Sequence, residues 1–215
     1  MSDLHTPSSI QLPPDRPLLI VDVDEVLGLF MHGFGRYVAG RGYEMRVDRF
    51  ALFQNIYPIG EINHIDLDTG RMLFNDFFRE GVEDMEPTPH AVDALTNLAE
   101  HASVVVLTNA PDHARAGRAR WLAHHGIDYP LIINEGPKGA AVAELAARTE
   151  KAAAFVDDLI PNLDSAAQTA PHVHRFQLVA DERLRGFAPT SPLHRRIDDW
   201  RPLAVELRAK LTTAR

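Results

Sequence analysis

Asp22 and Asp24 stand two positions apart at the end of the apolar run Leu18-Leu19-Ile20-Val21. A fully buried strand offers no favourable place for charge, so the pair is expected to emerge where the strand ends. Further polar groups follow short apolar runs along the chain: Thr108 and Asn109 after Val104 to Leu107, Lys138 after Leu131 to Ile133, and Asp157 and Asp158 after Ala152 to Val156. If these runs are strands of one parallel sheet, their carboxyl ends meet in the crevice where open α/β sheets bind ligands. Several carboxylates gathered there cannot all stay ionised without a counter-charge, which implies a bound cation. Ligation by oxygen alone favours Mg²⁺. A cation beside Lys138 suits a phosphate group, with the Thr108 hydroxyl and the amides of the turn at Asn109 as further donors. On this chemistry Asp22 attacks phosphorus to give an aspartyl-phosphate. Asp24 protonates the leaving oxygen and then takes a proton from the attacking water.

The elements that must position these groups are visible as pattern. Ala91, Leu95, Leu98 and Ala99 recur at helical spacing, with Thr88 placed to cap and Pro89 to open the helix. Further helical stretches run from Asp112 to His125, ended by Gly126, from Lys138 to Arg148, and from Asn162 to Ala170. Strands alternating with helices predict an α/β fold: a Rossmann-like three-layer core whose parallel sheet is covered on both faces. Val173 to Phe176 reads as an edge strand and Trp200 to Leu211 as a closing helix. The aromatic-rich stretch 28–86 breaks the pattern and reads as an inserted, mainly helical cap subdomain. It leaves directly after the acid pair, which places it over the strand ends as a lid; an oligomerisation patch is the other use of such aromatics. The expected organisation is a flexible N-terminal arm over 1–17, a core over 18–27 and 87–215, and the cap over 28–86.

A chain of 215 residues suffices for one core and a small insertion. It is 45% apolar and 24% charged, the balance of an ordinary soluble protein, and no apolar stretch reaches bilayer length, so no membrane partner is expected. The start is polar and proline-rich and lacks the layout of a signal peptide. Cysteine is absent, which excludes disulfides, thiol catalysis and zinc-thiolate sites and fits a cytoplasmic location. A net charge of -8 without a dense basic block argues against nucleic acid polymers. The eleven histidines show no metal-binding spacing, and His172 and His174 read as a solvent-facing edge. The expected partner is a small phosphorylated substrate.

Taken in order, the four polar segments resemble the motifs of the haloacid dehalogenase superfamily. Asp22-Val23-Asp24-Glu25-Val26-Leu27 is similar to its first motif, Thr108-Asn109 to the second, Lys138-Gly139 to the third, and Phe155-Val156-Asp157-Asp158 to the fourth. The resemblance covers Leu18 to Ala170. It implies a Rossmannoid core, Mg²⁺ dependence and the aspartyl-phosphate route, with the metal held by the Asp22 carboxylate, the Asp24 carbonyl and a fourth-motif acid. Asp158 is the expected direct ligand and Asp157 the second choice; Asp157 alternatively orients Lys138 through an ion pair. Asn162, where the family commonly has an acid, would reach the metal through water. Dehalogenases of the family lack the second acid and its transport ATPases carry lysine directly after the nucleophile, so Asp24 implies a phosphatase with a small helical cap. A phosphotransferase or mutase of the same fold and a non-catalytic phosphate-binding regulator are the alternatives. Glu25 departs from the glycine or threonine frequent at its position, altering the turn into the cap. His32, Phe34, Arg36, Tyr37, Asn63, His64 and Arg71 are the cap residues considered for reading the leaving group. The aromatic content puts a nucleoside monophosphate ahead of a sugar phosphate.

Overall fold

A computed structural model describes residues 6–212 of the chain. Strand β1 (Leu18–Val21) leads into α1 (Phe30–Ala39), β2 (Tyr43–Met45), β3 (Ile56–Pro58) and α2 (Leu67–Glu80). The core resumes with α3 (Ala91–Ala99), β4 (Ser103–Asn109), α4 (Arg115–His124), β5 (Leu131–Asn134), α5 (Gly139–Ala146), β6 (Ala153–Asp157) and α6 (Ile160–Thr169). It closes with β7 (His174–Gln177), α7 (Glu182–Arg185), β8 (Arg195–Arg196) and α8 (Trp200–Thr212).

Six strands form one parallel sheet in the order β5-β4-β1-β6-β7-β8. β1 lies inside it, with Val21 level with Val106 of β4 on one side and Val156 of β6 on the other. All four β1 side chains are buried, which is why the strand reads as a continuous apolar run rather than an alternating one. Successive side chains point to opposite faces. Leu19, Val21, Val104 and Val106 therefore join the apolar layer of α3, α4 and α8, which includes Leu95, Trp121 and Leu203. Leu18, Ile20, Val105 and Phe155 join the layer of α5 and α6 with Leu145 and Leu163. The result is the expected α/β three-layer arrangement, with Asp22, Thr108 and Asp157 all at the carboxyl end of the sheet.

Three local expectations need correction. The strand at His174–Gln177 is not the edge, because β8 pairs beyond it and ends the sheet as two arginines, Arg195 and Arg196. A short charged strand in that position discourages pairing with another chain. Thr88 does not cap α3: its amide donates to the Leu27 carbonyl, and the helix starts at Ala91 after His90 in a left-handed conformation, φ 67°. The tie back to Leu27 closes the insertion onto the core and displaces the helix start. The arm expected over 1–17 is packed where it is described, residues 1–5 lying outside the described range. Ile10 is buried in the layer of α5 and α6, and the Thr149 hydroxyl donates to the Arg16 carbonyl at 2.7 Å.

Between β1 and α3, helices α1 and α2 enclose an antiparallel ladder pairing Tyr43 with Pro58 and Met45 with Ile56. The aromatics of this segment are packed inside rather than exposed as a patch: Phe30, Phe34, Phe77 and Phe78 are buried in the same apolar cluster as Val21 and Trp121, with the rings of Phe34 and Phe77 5.4 Å apart. Asp66 caps α2 by accepting the Thr69 amide at 2.8 Å. Among the described residues no helix is long and apolar enough to cross a membrane.

α5 and α6 approach closely at Gly139, where an added Cβ would collide with the backbone and hydroxyl of Ser165. Gly139→Ala is expected to destabilise the fold by about 1–3 kcal/mol in urea denaturation. Gly186→Ala, at a position with nothing within 4 Å, should stay within about 0.5 kcal/mol of the parent.

Candidate active site

Lys138 occupies the centre of the polar strand ends. Its ammonium is completely buried, 2.8 Å from an Asp22 oxygen and 2.6 Å from an Asp157 oxygen. It precedes α5 and is delivered by the turn after β5, which side chains fasten to β4. Asn109 Nδ2 donates to the Gly136 carbonyl at 3.0 Å, and Asn134 Nδ2 donates to Asn109 Oδ1 at 2.8 Å and to the same carbonyl at 3.0 Å. Gly136 takes φ 75°, a conformation side chains disfavour, which lets the chain turn tightly there. Burial pulls the Lys138 pKa down, but the Coulombic attraction of Asp157 and Asp22 outweighs it and holds the ammonium above its ordinary value.

Asp22, Asp157 and Asp158 each offer an oxygen within 4.8 Å of the others. Burial raises the pKa of Asp157 and of Asp158, and in each case neighbouring carboxylates add to it. The two acids are used differently. Asp157 accepts from Lys138, from the Leu159 amide at 2.9 Å and from Asn162 Nδ2 at 3.0 and 3.2 Å. Among the described residues no protein donor reaches the Asp158 carboxylate, although its carbonyl accepts from Gln177 Nε2. Asp157 thus makes the ion pair with Lys138 while also belonging to the three acids that could hold a metal, and the Asn162 amide reaches Asp157. Thr108, one residue before the end of β4, is fully buried with its hydroxyl unpartnered. The side chain of Asn109 holds the turn just described.

Asp24 lines one cavity with Asp22, Lys138 and Asp158 but has an ion-pair partner of its own. Both its oxygens accept from Nη2 of Arg118, at 2.7 and 2.9 Å. Sequence reasoning missed Arg118, yet a signal was present: it lies on α4 three residues before Trp121, on the face that also buries Gly117 and Leu122. An arginine among core positions implies a buried partner. Its guanidinium lies 5.1 Å from the Phe78 ring centre, while Nε and Nη1 have no hydrogen-bond partner. Burial raises the Asp24 pKa to about 6 against the opposing pull of Arg118. Glu25 adopts φ 57° and is buried, its two oxygens accepting the amides of Met31 and Asp181, both at 2.8 Å. Burial lifts its pKa to about 7 despite those two bonds. The unusual residue after Asp24 thus ties the first turn of α1 to the segment after β7.

No protein-family model matches the chain, and no curated protein does. Solved structures do. A haloacid dehalogenase superfamily hydrolase from Geobacter sulfurreducens is 16% identical with a TM-score of 0.56, covering 89% of this chain and 96% of that one. A hydrolase of the same superfamily from Bacillus subtilis, solved bound to magnesium, is 14% identical with a TM-score of 0.58, covering 90% and 99%. This chain has the haloacid dehalogenase fold. A defluorinating L-2-haloacid dehalogenase is similar to the same degree, at 17% identity, a TM-score of 0.58 and coverage of 93% and 99%.

Within this haloacid dehalogenase fold a cavity of about 280 Å³ opens beside Asp22, Asp24, Lys138 and Asp158. The insertion walls it with Phe30, Met31, Phe50, Ala51, Leu52 and Phe74. None of the residues considered for reading the leaving group lines it. Phe34 is in the main apolar core, Arg36 pairs with Glu86, Tyr37 donates to Glu80, and Arg71 faces Asp68. His64 Nδ1 contacts the Ile65 carbonyl, His32 lies 3.6 Å from Asp181, and Asn63 is exposed.

Arg118→Met should leave the partly buried Asp24 carboxylate without its cation, and Arg118→Met combined with Asp24→Asn should recover most of the loss. A double-mutant cycle in urea is expected to return a coupling of about 1–3 kcal/mol. Strictly additive effects would show that the pair contributes nothing.

Proposed function

We propose that the protein is a Mg²⁺-dependent phosphomonoester hydrolase that works through an aspartyl-phosphate on Asp22. The observation that carries this reading is the grouping of Asp22, Asp157 and Asp158 around buried Lys138, with a second acid, Asp24, two residues beyond the first. The donor set fits a hard cation, because these buried carboxylates outnumber Lys138 and no donor among the described residues reaches the Asp158 carboxylate. The Asp22 and Asp158 carboxylates and the Asp24 carbonyl, which accepts no hydrogen bond among the described residues, would hold it; when bound, it neutralises charge on the phosphate oxygens. Magnesium in the similar Bacillus subtilis structure supports the choice of ion.

The remaining steps belong to the chain's own side chains. Lys138, fixed by Asp157, aims its ammonium at the Asp22 carboxylate and so at the phosphoryl group that carboxylate attacks. The unpartnered Thr108 hydroxyl is a donor in reserve for a phosphate oxygen. Asp24 lines the cavity, and a pKa of about 6 lets it give a proton to the leaving ester oxygen and take one back near neutral pH. Arg118 fixes the direction of that carboxylate. The presence of Asp24 favours phosphate over halide, so the similarity to a dehalogenase extends to the fold and not to the reaction.

Inorganic phosphate release from a panel of phosphomonoesters should require Mg²⁺, stop on chelation and return when Mg²⁺ is restored. Asp22→Asn should lower it by at least about 10³-fold with an unchanged thermal midpoint. Release indifferent to metal, or full activity in Asp22→Asn, would refute the assignment.

A further inference from the structure

Resting on the hydrolase reading, we infer that the substrate is a small phosphomonoester whose alcohol is apolar and uncharged, not a nucleotide or a sugar phosphate. The wall that faces the reacting groups decides this. The insertion contributes Phe30, Met31, Phe50, Ala51, Leu52 and Phe74, and the core adds Leu159 and Leu184. Apart from Asn109 and Asn162, engaged at 3.0 Å with Gly136 and Asp157, every polar side chain lining the cavity is a carboxylate or Lys138. A ribose, a base edge or a hexose would enter with hydroxyls and amides that no side chain of the insertion meets, and polar groups buried without partners oppose binding.

Charge excludes a second class of alcohol. Asp22, Asp24, Glu25 and Asp158 line the cavity, and among the described residues Lys138 is the one cation that does, already held between Asp22 and Asp157. A leaving group bearing a carboxylate or another phosphate would meet like charge with no arginine or lysine to offset it. Size agrees: the cavity volume of about 280 Å³ lies just below the usual range of ligand cavities (~300–1,000 Å³), which suits a small alcohol.

The apolar wall is built rather than incidental. Phe50, Ala51 and Leu52 sit on the connection between β2 and β3, which is gathered around the fully buried side chain of Asn55. Asn55 Nδ2 donates to the carbonyls of Ala51 at 2.7 Å and Arg49 at 3.0 Å. Met31 is placed by the bond from its own amide to Glu25. Two buried polar side chains thus hold the apolar surface against the acid cluster.

The test compares alcohols of matched skeleton. 1-Propyl phosphate should be turned over with a kcat/KM on the order of 100-fold above that of glycerol 1-phosphate, with glucose 6-phosphate and AMP no better than the latter. Leu52→Asn, which adds a polar group to the wall, should shrink the propyl-to-glycerol ratio at least about tenfold. Binding of propylphosphonate and of 2,3-dihydroxypropylphosphonate to the wild-type protein with Mg²⁺, measured by calorimetry, gives a readout free of turnover. The first should bind more tightly and with a negative heat-capacity change. Equal or better turnover of the polar esters would overturn this inference and leave the hydrolase standing. Preferential binding of propylphosphonate without turnover of any ester would sustain the apolar ligand and refute the hydrolase, whereas neither binding nor turnover would overturn both.

Discussion

The site depends on one buried ammonium shared by two carboxylates. Lys138, Asp22 and Asp157 come from three separate segments, and none of them could be buried as a charge alone. The low exposure that makes each charge costly also strengthens their mutual attraction, so the arrangement holds only if all three arrive in register. Much of the surrounding structure serves that register. β1 and β6 are adjacent and parallel, which sets Asp22 and Asp157 side by side. The Asn109, Asn134 and Gly136 contacts set the height of the turn that carries Lys138, and the glycine after it permits α5 to lie against α6.

Core and insertion divide the work around the cavity. The sheet ends supply charge with a deficit of positive groups, and the insertion supplies an apolar surface with none of its own. The boundary between them is tightly managed. Glu25 bonds the first turn of α1 to the segment after β7, and Thr88 bonds the end of the insertion back to Leu27. The chain therefore leaves and re-enters the core within a few residues of Asp24.

The sheet and the polar cluster were legible because buried parallel strands have continuous apolar sequences and the acids interrupt them at one end. Leu18 to Val21 and Ala153 to Val156 carry that signal without help from the rest of the chain. What escaped was set by distant contacts. Arg118 looks like a surface residue in an arginine-rich helix until Trp121 and Leu122 fix which face is buried. Phe50 to Leu52 lie in a connection with no period, and their position follows from Asn55, whose partners are backbone carbonyls that no pattern reveals. The polar and aromatic residues of α1 were candidates for the cavity by type. Helical geometry turned Phe34 into the aromatic core and Arg36 and Tyr37 toward acidic partners on the outside.

The placement of β1 between β4 and β6 also orders events in time. The segment bearing Asp22 is among the first synthesised, yet its neighbour β4 lies near the middle of the chain, and its neighbour β6 and the lysine that neutralises it come from the second half. Contacts so distant in sequence form late and slowly. During synthesis an apolar strand ending in two carboxylates waits without sheet partners or cation while most of the protein is still being made. A shortened product that stops before Lys138 consequently lacks the counter-charge that allows Asp22 to be buried, and one that stops before Leu184 lacks part of the cavity wall.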